Sequence, residues 1–148
     1  MIIGYIQSLI FLIWLSLEDI REKAVSIWKL IVFSMGEILW VVIDCYRYGG
    51  SSFSIFYGFI PGVLICLFAG LTGEVGLGDG IVIAFLGLHY GCMEVFRILA
   101  IGVVFLWIYM AVNRMSDSRH AFIPFLTLGM LFVFAAGIFF KKIQWRIA

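Results

Sequence analysis

Six apolar runs follow one another along the chain, each closed by a short polar segment. They cover 2–17, 27–43, 53–71, 81–93, 98–112 and 122–140. The first ends in the charged stretch 18–23, and the second at Asp44, Arg47 and the turn Gly49-Gly50-Ser51-Ser52. A glycine-rich turn at 73–80 separates the third from the fourth. Glu94 and Arg97 break the fourth from the fifth, 113–120 stops the fifth, and Lys141-Lys142 ends the sixth. Within the runs apolar residues are continuous rather than alternating, which predicts helices and not the apolar-out, polar-in strands of a barrel. The third run is about long enough to span a ~30 Å hydrocarbon core at 1.5 Å per residue. The fourth and fifth are each short for a full span, so one long helix or a re-entrant pair stays open there. The pattern predicts an all-α, single-domain protein over 1–148, a bundle of about six transmembrane helices, with no repeat, linker or low-complexity tract.

Composition strengthens that picture. Charged residues make up 13% of the chain against about 25% in an ordinary soluble domain, and 64% of residues are hydrophobic. The net charge of +1, with no basic stripe, argues against a nucleic-acid partner. Cys45, Cys66 and Cys92 form no CxxC and no metal-type spacing. The first run lacks a basic leader and is followed by Glu18-Asp19-Ile20-Arg21 rather than a small-residue cleavage site, so it reads as a retained helix. Charge does not orient the bundle. With six spans Arg21, Lys23, Lys29, Arg114 and Arg119 fall on one side, and Arg47, Arg97, Lys141, Lys142 and Arg146 on the other. The same parity puts Asp19, after the first helix, and Asp79, before the fourth, on one face.

Those two aspartates are the residues that lipid cannot solvate. Two carboxylates at one membrane face can share a proton, because like charges a few ångströms apart do not both ionise cheaply. The ionised member would take a proton from water and the protonated member would polarise a peptide carbonyl. In Gly76-Leu77-Gly78-Asp79 the glycines would let the backbone bend and a substrate strand approach. The plainer reading makes Asp79 a helix N-cap. It makes Asp19 an exposed helix-end charge, paired with Lys23 at i,i+4. Spacing alone leaves the two readings of Asp79 level and favours the plain one for Asp19. A phosphate-binding loop is excluded, since 73–80 contains Glu74 and Asp79 but no Lys or Arg.

Three stretches, in order, resemble the type IV prepilin peptidase family of GxGD membrane aspartyl peptidases. Asp19-Ile20-Arg21-Glu22-Lys23-Ala24-Val25 is similar to its Asp-Leu-Arg-x-x-x-Ile motif, and Gly76-Leu77-Gly78-Asp79 to its GxGD. Ala84, Gly87 and Gly91 fall where the family has Ala, Gly and Gly. Phe122-Ile123-Pro124-Phe125-Leu126-Thr127-Leu128-Gly129 resembles its late Pro-Phe-x-Pro-Phe-Leu-x-x-Gly segment. Ser26, Ile81 and Ala121 depart from the family's proline, lysine and proline. The chain has neither the room nor the cysteines for the long forms' CxxC-bearing insertion and N-methyltransferase activity. It resembles the short forms serving Flp/Tad-type pili and the archaeal preflagellin peptidases. The resemblance implies an aspartic endopeptidase of the cytoplasmic membrane, with Asp19 and Asp79 catalytic at the cytoplasmic face and Gly76 and Gly78 supporting the loop. Its substrate would be a prepilin-like protein with a basic leader, a glycine and then a hydrophobic helix. No metal or organic cofactor is implied. Presenilin-type GxGD proteases differ in carrying a Tyr-Asp, which this chain lacks. A non-enzymatic transporter subunit or assembly factor is the alternative from another class.

Other polar residues read more plainly. Glu37, inside the second run, is either buried against a polar partner or functional. His89 reads as an interfacial or core histidine and His120 as a solvated one. Trp14, Trp28, Trp40, Trp107 and Trp145 fall mostly near run ends, as interface anchors do. Gly58, Gly62, Ala69 and Gly70 are expected to allow close helix packing.

Overall fold

In a computed structural model, which describes residues 2–22, 24–48, 52–72, 76–113 and 121–147, the chain is all-helical. Its elements are α1 (Ile2–Glu22), α2 (Ile27–Tyr48), α3 (Ser52–Thr72), α4 (Leu77–Tyr90), α5 (Cys92–Asn113) and α6 (Ile123–Ile147). Lys23, the glycines and Ser51 of the 49–51 turn, Gly73, Glu74, and 114–120 with Arg114, Arg119 and His120 lie outside the described residues. The helices overrun the apolar runs at their polar ends. Glu, Arg and Lys are good helix formers, so a charged segment ends the apolar run without ending the helix. α1 therefore continues through Glu18 and Asp19, and α6 continues past Lys141 and Lys142.

Two stretches, Ile3–Glu22 and Cys92–Val112, are long and apolar enough to cross a membrane. Shorter apolar stretches lie at Phe56–Leu71, Leu77–Tyr90 and Ile123–Gly137. A core helix of a soluble protein would be mostly buried, yet only 17% of the apolar window in α5 is covered by the rest of the protein. Its Val103, Val104, Trp107, Ile108 and Val112 point outward.

The break between the fourth and fifth helices falls earlier than the sequence pattern places it. It is a single residue, Gly91, at φ +84°, a conformation that side chains rarely adopt. Its N–H closes α4 on the Gly87 carbonyl at 2.8 Å, and its own carbonyl accepts from Val95 at 3.2 Å. Glu94 and Arg97 do not interrupt anything. They sit inside α5 and pair with each other at 2.6 Å. The fourth and fifth runs are thus two helices, 14 and 22 residues long, rather than one long element.

α4 packs against α2, α3 and α5, while α1 lies against α2 and α6. Leu12, Leu15, Phe33, Ile83, Leu86 and Ile98 are fully buried in one contiguous core. The α3–α4 seam is the closest in the bundle. A Cβ at Gly58 would overlap the Gly87 carbonyl, one at Gly87 would overlap that of Gly58, and one at Gly62 would overlap Ala84. Further along, a Cβ at Gly80 would lie 2.5 Å from Cys66 Sγ and 2.9 Å from Cys66 N. Gly58, Gly62 and buried Ala69 pack as the sequence suggests, but Gly70 faces open space. Gly87→Ala is therefore expected to cost about 1–3 kcal/mol by pushing two backbones apart. Gly70→Ala should be neutral or stabilising by roughly 0.5–1 kcal/mol, because alanine is the better helix former. Thermal midpoints of the two solubilised variants check the difference in sign.

Candidate active site

At one end of the bundle α1, α3 and α5 finish and α2, α4 and α6 begin. Tyr109 of α5 lies 5.3 Å from Phe125 of α6, and Cys66 of α3 reaches the Leu77 carbonyl at the start of α4. Asp19, in the last turn of α1, sits here and is only 5% exposed. Its Oδ2 accepts a hydrogen bond from the Ile123 N–H at 3.1 Å, and the Phe122 N–H also donates to it. Ile123 opens α6, whose first N–H groups have no partner within the helix and carry the positive end of its dipole. Pro124 contributes no donor at this end, as suits a first-turn proline. The expectation of an exposed Asp19 is thus corrected: its carboxylate is drawn inward because a helix 104 residues later presents unpaired donors. One turn deeper, the Ser16 and Thr127 hydroxyls lie 2.7 Å apart and tie α1 to α6 again.

Asp79 is the third residue of α4, not its N-cap. Gly76 holds that place with extended backbone (φ −69°, ψ 129°) and no side-chain cap. Asp79 donates its amide to the Gly76 carbonyl at 3.1 Å, and its carboxyl turns back to the Gly76 N–H, the acidic half of a capping box. Among the described residues, the charge that bears on Asp79 is that of Asp19. Aspartates 60 positions apart in the chain are brought within electrostatic reach. The glycines around them differ in purpose. A Cβ at Gly76 would come within 3.1 Å of Asp79 Oδ2, a tight contact, whereas one at Gly78 would make ordinary contacts of 3.6 Å with Leu30 and 3.9 Å with Val25. Gly78 is not required by packing. Gly80, which the GxGD pattern leaves out, is. Ile81 faces an apolar groove with Phe59, Val63, Cys66 and Phe85, a setting that suits it better than a lysine.

No protein-family model, curated protein or solved structure matches the chain.

Beside Asp19, Glu18 organises the α1–α2 corner. It accepts from the Ser26 N–H at 3.1 Å and pairs with Lys29 at 2.9 Å, and Lys29 lies 5.1 Å above the Trp14 ring. Ser26 supplies a backbone N–H that a proline at that position would lack. A carboxylate followed nine residues later by the start of an apolar run was the signal available for this cap.

A second polar cluster lies toward the other end of α4. Glu37 is fully buried and accepts from Ser8 Oγ at 2.6 Å, with His89 Nδ1 at 2.5 Å from its other oxygen. Tyr90 donates to Ser8 at 2.7 Å and stacks on the His89 ring at 4.1 Å. His89 is a core histidine, not an interfacial one. Of the two readings open for Glu37, burial against polar partners is the one observed.

Proposed function

We propose that the chain is a polytopic membrane protein of about six spans and an aspartic endopeptidase. Its substrates would be prepilin-like proteins, cut at the boundary between a basic leader and an apolar helix. The observation that carries the proposal is that Asp19 and Asp79 lie at the same end of the bundle, where the three motif segments also lie, with the charge of one bearing on the other. The outward-facing apolar side chains of α1, α3 and α5 support a lipid environment, since soluble monomers rarely expose so much contiguous apolar surface. The cytoplasmic membrane, and the cytoplasmic placing of the aspartate end, follow from the family resemblance. In this reading the two carboxylates hold one proton between them. The ionised oxygen removes a proton from water, the protonated one donates to the scissile carbonyl oxygen, and the tetrahedral intermediate collapses as the proton passes to the leaving nitrogen. Titration belongs to the pair, not to either residue.

One observation favours the non-enzymatic reading: each carboxylate already has a backbone donor, Ile123 for Asp19 and Gly76 for Asp79. Catalysis and capping are compatible, because a carboxylate has two oxygens and several lone pairs. The test is cleavage of a co-expressed prepilin in membranes. Cutting after the leader glycine supports the peptidase, and failure on several prepilins of the same genome overturns it. Gly78→Ala separates substrate approach from folding. It should leave stability within about 0.5 kcal/mol, as at an unstrained surface position, while raising the KM for prepilin severalfold.

A further inference from the structure

Ser8, Leu12, Leu15 and Asp19 recur along α1 at i, i+4, i+7 and i+11. Asp79, Ile83, Leu86 and Tyr90 recur along α4 at the same intervals. Eleven residues return to within about 20° of one helix face and span about 16.5 Å. Each helix therefore carries an aspartate at one end of a stripe and a hydroxyl at the other, at equal length. The hydroxyls meet in the 2.7 Å bond from Tyr90 to Ser8. The aspartates lie at the other end, Asp19 in the last turn of α1 and Asp79 in the first turn of α4. Between them Leu12, Leu15, Ile83 and Leu86 are fully buried in one core cluster.

Against α1, little else gives α4 a directional hold. Along α3 it is held by close backbone approach and by a long, 4.0 Å thiol contact from Cys66 to the Leu77 carbonyl. Its short side-chain bonds to other helices, among the described residues, come from its last two residues: His89 to Glu37 of α2, and Tyr90 to Ser8 of α1. Hydrogen bonds specify direction where apolar packing does not.

We propose that Tyr90 and Ser8 are positioning residues for the aspartate pair. Their bond sets the axial register of α4 against α1, and so the approach of Asp79 to Asp19, three helical turns away. The consequence for activity rests on the peptidase reading above; the geometric consequence does not.

Tyr90→Phe removes the hydroxyl and keeps the ring on His89 and Tyr5. With Cys45, Cys66 and Cys92 replaced by alanine, an Asp19→Cys/Asp79→Cys pair is bridged by a short bis-thiosulfonate reagent. A Ser16→Cys/Thr127→Cys pair reports α1 against α6. Tyr90→Phe should slow bridging of the first pair by roughly five- to tenfold, the scale of one hydrogen bond, and leave the second pair unchanged. Ser8→Thr, which keeps a hydroxyl, should bridge like the parent. In the cysteine-free chain with both aspartates, Tyr90→Phe should lower kcat on prepilin by a similar factor with KM unchanged. Unchanged bridging of the first pair overturns the proposal, as does equal slowing of both pairs, which means general loosening. Slowed bridging with an unaltered kcat overturns the positioning role. Should the wild-type chain cut no prepilin, the peptidase reading falls and the bridging rates alone decide whether the bond sets the register.

Discussion

Asp79→Asn is expected to lower prepilin cleavage by about 10²–10⁴-fold, the usual worth of a positioned general acid or base. Asparagine keeps an oxygen to face the Gly76 N–H, so the start of α4 survives. What it loses, in the peptidase reading, is the proton that the pair would share. Asp19→Asn likewise keeps an acceptor for the Ile123 N–H at the start of α6. In the peptidase reading it should fail to the same extent, and the double variant should be no worse than either single one, because the carboxylates would act as a unit. Cleavage assays at matched membrane levels, with thermal midpoints alongside, measure both quantities. Three variants that cut as well as the wild type would leave the two aspartates as caps and nothing more. Asp79→Ala and Asp19→Ala lose the acceptor too, and should lower stability by roughly 0.5–2 kcal/mol where the asparagine variants do not.

The largest stability effect is expected at His89→Leu. Glu37 is 0% exposed and holds two partners, Ser8 and His89. Removing the histidine leaves a buried carboxyl with one hydroxyl for company, which costs about 3 kcal/mol, the upper end for a buried polar group short of a partner. The cost comes from the group left behind rather than from the net worth of the pair. Glu37→Leu with His89→Leu should therefore be less destabilised than His89→Leu alone. Thermal unfolding of the three solubilised proteins checks the order, and a double variant that is the worst of the three refutes the account.

The helices were readable in the sequence for a physical reason: continuous apolar runs of helical length closed by polar segments mark them, and the alternating direction of successive helices puts Asp19 and Asp79 at one end. What the sequence concealed is set by partners distant in the chain. A helix-end aspartate is usually solvated, and nothing near residue 19 announces the donors of Phe122 and Ile123. Glu37 and His89 are 52 positions apart, so neither shows that the other completes it. Gly91 sits among other glycines, and only its positive φ distinguishes it as the break between α4 and α5. Glu94 and Arg97 looked like a boundary because charge ends an apolar run, although paired at i,i+3 they continue a helix comfortably.

Glu18 and Asp19 are neighbours in sequence yet cap different helices, Glu18 taking Ser26 at the start of α2 and Asp19 taking Ile123 at the start of α6. The first cap can close as soon as α2 leaves the ribosome. The second waits until Ile123, 104 positions later, has been synthesised. Asp19 is thus expected to keep its carboxylate uncapped while α2 to α5 are made. Its capping by Ile123 comes after α4 has already brought Asp79, so the pair can form before the hydrogen bond that fixes Asp19 closes.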